Sequence, residues 1–256
     1  MPVRERQDVL PLIRRLESIA ELSDDDRAAL AELPLVPRTV AADVDILREG
    51  DRPSECCLII EGFVARYQTT EEGARQILSF HIPGEMPDLQ SLYLRVIDDN
   101  LGTLVPTRAA FIPHHALLEL FEARPNLASL FWRKTLIDAA IFRRWILNLG
   151  RREAYGRMAH LFCELFVRLK AVGLADDHTI ELPVTQAELG EALGLSTVHV
   201  NRSLQALRAD GLVTLRGGRL TIGDWESLVS AAEFDEVYLH LAKRGKATRP
   251  PPGRGW

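Results

Sequence analysis

The sequence predicts an α+β fold in three consecutive blocks: an antiparallel β-roll, one long helix, and a compact helical unit closed by a β-hairpin. Three observations predict it. From Val40 to Pro113 short apolar runs alternate with glycines at positions 50, 62, 73, 84 and 102. Residues 126–149 then contain neither proline nor glycine. Residues 185–222 carry two helix-start signals, a glycine between them and a trailing Gly-Gly pair.

The chain opens with helices. SDDDRAALAEL begins with Ser23 and has Asp26 three residues on, the spacing of a capping box. Three aspartates in a first turn also suit the positive end of a helix dipole. Leu30 and Leu33 give that helix an apolar face.

The β block follows: VDILREGD, CCLIIEGFVARYQ, EEGARQILSFHIPGE and GTLVPTRAAFI. Strands of this length between Gly-marked turns form a barrel or roll. The adjacent Cys56 and Cys57 fall on one such strand. Next, residues 126–149 form a helix with two apolar stripes. One holds Leu127, Leu130, Ile137 and Ile141, the other Phe131, Phe142, Trp145 and Leu149. One stripe packs on the β block, and a second needs another partner, which the same helix of a second copy supplies. Leu130, Ile137, Ile141 and Trp145 are the expected dimer seam.

After Gly150 come a helix near 152–172, a polar loop containing ADD, and TQAELGEALGLSTVHVNRSLQALRADGLV. Thr185 and Glu188 form a capping box. Gly194 suits a left-handed helix end. Ser196 caps a second helix from Thr197 to Ala209, and Leu189, Leu195, Val200, Leu204 and Leu207 hold the two helices together. Gly217–Gly218 closes a hairpin. Together these make a winged helix-turn-helix, a DNA-reading unit. The outward face of its second helix holds Thr197, Val198, His199, Asn201, Arg202 and Gln205. Arg202 can grip guanine O6 and N7, Asn201 can bridge adenine N6 and N7, and Val198 can meet a thymine methyl. Ser196, Thr197 and His199, with Arg216 and Arg219 on the wing, can bind phosphate. Residues 224–241 should form one further helix docked by Trp225, Leu228 and Phe234, ahead of a basic, disordered tail at 243–256 that could add non-specific DNA affinity.

The domain expectation is therefore 1–125 for N-terminal helices and roll, 126–150 for the dimer helix, 151–242 for the DNA-binding unit and 243–256 for the tail. Composition agrees with a globular protein: 46% hydrophobic and 26% charged over 256 residues. The net charge of −5 requires any DNA-binding surface to be a local patch. No apolar run is long enough to span a bilayer, and MPVRERQDVL has no apolar signal core, so a cytoplasmic location without membrane association is expected. Three cysteines are too few for an iron–sulfur cluster held by four thiolates. His81 and His114–His115 form no His-x-His strand pair, so no metal site is expected. No nucleophile–base constellation points to an enzyme.

The order roll, long helix, winged helix-turn-helix resembles the Crp/Fnr family of transcription regulators over nearly all of residues 20–223. ILREGD, EGFVARY, GARQILSFHIPGE, GRMAHLF and residues 185–213 carry the resemblance. It implies a cyclic-nucleotide-binding-like jelly roll, a homodimer and a two-fold symmetric DNA operator, with RNA polymerase as a further partner. It also implies that Thr197, Val198, Asn201 and Arg202 contact bases. Where the cyclic-AMP receptor type has Arg-Glu, this chain has Thr197–Val198, so its operator should differ. The family's phosphate-binding Gly-Glu and Arg-Ser correspond here to Asp88–Leu89 and Asp99–Asn100, and its adenine-binding Thr-Ser to Phe142–Arg143. An aspartate repels a phosphate. These departures argue against cyclic AMP in the usual mode and for an unknown effector, with Arg95 or Arg108 as alternative anion partners. The other readings are a ligand-independent regulator controlled by abundance, and a small-molecule-binding roll with enzymatic activity.

Overall fold

The computed structural model describes residues 7–242. Helix α1 (Leu10–Glu17) buries Leu12, Ile13 and Leu16. Helix α2 (Asp24–Ala31) starts at Ser23, whose hydroxyl accepts the Asp26 N–H at 3.1 Å. The Asp26 carboxylate accepts from Asn126 at 2.8 Å, which ties α2 to the long helix.

Seven strands follow: β1 (Val36–Val40), β2 (Asp45–Leu47), β3 (Glu55–Glu61), β4 (Val64–Thr69), β5 (Arg75–His81), β6 (Asn100–Thr103) and β7 (Thr107–Pro113). They pair antiparallel in two sheets, ordered β1-β7-β3 and β2-β6-β4-β5. The unbroken apolar run of β3 has a simple cause, since both of its faces are buried. Cys56, Leu58 and Ile60 join the large core shared with the helices. Cys57 and Ile59 belong to two small clusters bordered by Ile46 of β2.

Helix α3 (His114–Ala123) leads to α4 (Pro125–Arg151), 27 residues and so about 40 Å long. Gly150 does not end α4; the extended backbone of Arg152 does. Helix α5 (Ala154–Ala171) is buried along Met158–Leu169. A short hairpin, β8 (Ala175–Asp176) and β9 (Thr179–Glu181), occupies the segment expected to be a plain loop. Two- and three-residue strands carry no alternation to read. Helices α6 (Gln186–Leu193) and α7 (Thr197–Ala209) precede β10 (Val213–Arg216) and β11 (Arg219–Ile222). The wing is thus a four-stranded sheet, ordered β10-β11-β9-β8, rather than a lone hairpin.

The last segment departs from the single helix expected over 224–241. Helix α8 (Trp225–Ala232) stops where Glu233 turns left-handed, at φ 45°. A 3-10 turn (Glu236–Leu239) follows, capped by the Asp235 carboxylate on the Val237 N–H at 2.9 Å. The break lets Phe234 and Tyr238 both turn inward. Leu228 is buried as expected and Trp225 packs against the core. Ala242 N–H reaches Ser18 O at 2.8 Å, returning the chain to the end of α1. The basic segment 243–256 lies outside the described residues.

A buried ionic cluster joins these parts. Glu85 meets Arg15 of α1 at 3.3 Å, Arg168 of α5 at 3.1 Å and the His81 ring at 3.1 Å. Arg168 continues to Glu164 at 3.2 Å, which accepts from Trp145 at 3.1 Å and Tyr238 at 2.8 Å. Burial alone would raise Glu85, but Arg168 and Arg15 hold it well below the usual carboxylate range. Burial pushes Glu164 up despite Arg168.

Candidate nucleic-acid interface

Local chemistry fixes the helix-turn-helix. Thr185 Oγ1 accepts the Glu188 N–H at 3.2 Å, while Glu188 accepts the Thr185 N–H at 2.6 Å. Both halves of the capping box are present. Gly194 is left-handed at φ 60°, as the turn requires. Gly190 is needed for another reason, because a Cβ there would lie 2.6 Å from Leu195 O. Ser196 Oγ accepts the His199 N–H at 3.4 Å and lies 2.9 Å from His199 Nδ1. Leu189, Val200 and Leu207 are fully buried between the helices, and Leu195 and Leu204 pack beside them.

With Val200, Ser203 and Leu207 facing inward, Thr197, Val198, His199, Asn201, Arg202 and Gln205 are exposed along one face of α7. Val198 is 65% exposed, which is unusual for an apolar side chain and leaves its methyls free for contact. Arg216 and Arg219 pair across the wing and are also exposed. Among the described residues none of Arg202, Arg216 and Arg219 enters an ion pair with a carboxylate. The three guanidiniums are exposed on one unit, with Arg219 opposite Glu181 across the β11–β9 ladder, in a chain of net charge −5.

Two residues of this unit escape a sequence reading. Gln186 Oε1 accepts from Asn201 Nδ2 at 3.4 Å, a contact visible only once the two helices cross. Arg157 donates to Leu149 O at 3.0 Å, Arg152 O at 2.9 Å and Leu193 O. It clamps the end of α4 to the end of α6, and its place in a helix gives no sign of this.

The expected dimer seam needs correction. Leu130, Ile137, Ile141 and Trp145 are all buried inside their own chain. They form the stripe that packs on the roll and on α5, so they cannot also face a second copy. The apolar side chains left in the open are Trp132 at 65%, Leu136 at 51%, Ile146 at 70% and Leu147 at 41%.

The roll's cassette region carries negative charge matched by one internal cation. Both Asp88 oxygens lie 2.9 Å from the Cys57 N–H. Burial pushes the Asp88 carboxyl up to about 7. Asp99 pairs with Arg66 of β4, whose other amino group donates to Pro87 O. Sequence reading missed Arg66, although a charge inside the run FVARY was its signal. Arg95 is exposed and Arg108 is paired with Asp8 at 2.7 Å. Phe142 is half-buried and Arg143 exposed. A cyclic phosphate does not fit this set, because the one buried guanidinium is already taken and two carboxylates stand beside it. Cys56 and Cys57 are buried free thiols, and burial followed by Asp88 raises both, which suppresses thiolate chemistry.

Residues 37–124 match the family model for the cyclic nucleotide-binding domain, and residues 156–231 match that for the Crp-like helix-turn-helix domain. The chain is 26% identical over 228 residues to the transcriptional activator protein FnrL of Cereibacter sphaeroides, covering 86% of this chain and 90% of that protein. It is 25% identical over 211 residues to the transcriptional activator protein anr of Pseudomonas aeruginosa, covering 82% and 86%. Among solved structures, FixK2 from Bradyrhizobium japonicum shares the fold with a TM-score of 0.71 at 22% identity, covering 78% of this chain and 98% of that one. The c-di-GMP responsive regulator CLP of Xanthomonas campestris shares it at 0.59 and 20% identity, covering 74% and 94%.

The buried Asp88 makes stability depend on pH in a defined direction. Its folded-state pKa of about 7 exceeds the ordinary 3.8, so the folded chain binds more protons between these values. Stability from this group is present at low pH and is lost as pH rises through that window. Asp88→Asn removes the effect. Urea unfolding across pH 4 to about 8 should show the wild type falling relative to the variant; parallel profiles would refute the buried-carboxylate account.

Proposed function

The chain belongs to the Crp/Fnr family of transcription regulators, and from that premise we propose that it acts as a homodimer reading a two-fold symmetric DNA operator through α7. The observation that carries this is the exposed face Thr197–Gln205, held outward by the buried Val200 and Leu207. Arg202 and Asn201 read base edges there, and Val198 meets a thymine methyl. Thr197, Ser196 and His199 hold phosphate, joined by Arg216 and Arg219 from the wing, while Gln205 lies farther along the same face. Ser196 keeps its capping role while doing so.

The dimer forms along α4 through Trp132, Leu136, Ala139 and Ile146. Their spacing of four, three and seven residues is that of a coiled-coil seam. A large exposed apolar stripe on a long helix is otherwise costly in water. The signal reaching the roll is something other than a conventionally bound cyclic nucleotide. A second reading, control by abundance alone, is favoured by the Arg66–Asp99 pair, which neutralises the roll from within.

Selection of bound sequences from random duplex DNA by the purified protein tests the main reading. A palindrome with half-sites about 10 bp apart supports it, and enrichment without any added extract supports control by abundance. Arg202→Ala should raise the Kd for the selected palindrome about 10-fold or more and relax specificity at one base position of each half-site. Retained selectivity would sink the assignment of Arg202. Leu136→Glu with Ile146→Glu should yield monomers by sedimentation, whereas an unchanged mass would refute the revised seam.

A further inference from the structure

Glu85 stands where the roll, α1 and the DNA-binding unit meet. Its side chain is 1% exposed and gathers Arg15, Arg168 and the His81 ring. Its backbone belongs to the roll: Glu85 O accepts the Ile59 N–H at 3.0 Å, and Gly84 N–H donates to Ile59 O at 2.8 Å. The next residues reach β4 and then β3 again. Pro87 O accepts from Arg66, and Asp88 accepts the Cys57 N–H. Segment 84–88 therefore touches the roll interior through the backbone of Gly84, Glu85 and Pro87 and the Asp88 carboxylate, and α5 through the Glu85 side chain. On the far side, Arg168 also donates to Phe80 O at 2.8 Å. A second contact lies outside the cluster. Helix α6 packs on β5, where Arg75 pairs with Glu191 at 3.2 Å and Gln76 reaches Ala192 O at 3.5 Å.

We infer that Glu85 and Arg168 are positioning residues for DNA binding: they hold the helix-turn-helix docked against β5, and segment 84–88 transmits rearrangements of the roll interior to it. The inference rests on the reading that α7 binds DNA. The docked arrangement is the DNA-competent one, because it leaves Thr197, Val198, Asn201 and Arg202 open to solvent. Moving Pro87 or Asp88 relative to β3 displaces the carboxylate that anchors Arg168. The shift reaches α7 through α5, which packs on both helices of the pair.

The test separates positioning from mere packing. Arg168→Met keeps side-chain length and leaves Glu85 paired with Arg15. It should raise the Kd for the selected operator about 10-fold or more, with the assembly mass and cooperative melting retained. Hydrogen exchange should rise in β5 and α6. A docking clamp is then added, Arg75→Cys with Glu191→Cys bridged by a short bis-maleimide; the three native cysteines are buried. The clamp should return the Arg168→Met protein to near wild-type affinity. Either of two results overturns the inference: wild-type affinity and exchange in Arg168→Met, or loss of operator binding when the clamp is closed in the otherwise wild-type chain. If Arg168→Met fails to fold, Arg168→Lys takes its place under the same outcomes, and the clamp in the wild-type background reports whether the docked state is competent. If the wild type selects no DNA, the DNA reading fails, and exchange in β5 and α6 still reports whether Arg168 holds the docking.

Discussion

A carboxylate taken out of water loses hydration worth several kcal/mol even after relaxation, and only well-placed cations offset that loss. Glu85 is such a group, and its cations come from α1 and α5, far apart in sequence. The charge thus enforces a three-way meeting that apolar packing alone would leave free to slide. Deleting one partner would strand the others in a dry interior, a change that typically costs about 3–5 kcal/mol. Trp145, Glu164 and Tyr238 extend the same requirement to α4 and to the final turn. In an uninterrupted helix Phe234 and Tyr238, four residues apart, would share a face turned away from that of Leu228 and Ala232; the break at Glu233 brings all four into the core.

The interface that reads DNA is built on different terms. Its geometry depends on local bonds: the Thr185–Glu188 box, the left-handed Gly194 and the Ser196 cap. None of these relies on the rest of the chain. Its placement is set separately, by Arg157 of α5 gripping the end of α4, by Arg168 and by the α6 contact with β5. A reader shaped by local bonds and placed by separate contacts can change position without losing its shape. A regulator needs that property more than tight packing.

This division also explains what the sequence discloses. The α7 boundaries Thr197–Ala209 and the cap at Ser196 are legible because caps, glycines and helical spacing are local signals. The roll is legible from its turn spacing, and β3 from its apolar run. The α4 seam is not. Periodicity reveals that Ile137 and Leu136 lie on different faces, but not which face the chain keeps for its own core. Leu130, Ile137, Ile141 and Trp145, drawn from both apolar stripes, are the residues the chain buries internally first. Arg66 and Glu85 are illegible in the sequence for a related reason, since a charge inside an apolar stretch gains meaning only with its partner, here Asp99 or Arg168.

The Arg66–Asp99 pair bears finally on the kind of ligand a roll of this family can take. A phosphate entering the cassette gains most from a guanidinium that is already desolvated and free. Here that guanidinium is desolvated but engaged, so the anion would have to expel Asp99 and leave a carboxylate buried without its cation. Asp88 adds a second carboxylate beside the site: burial pushes it up to about 7, and wherever it is ionised an incoming anion meets a second negative charge. The exchange trades one buried ion pair for another and adds a stranded charge. An anion displacing Asp99 from Arg66 would work against the same rule that makes Glu85 an anchor: a buried charge stays with the partner that compensates it.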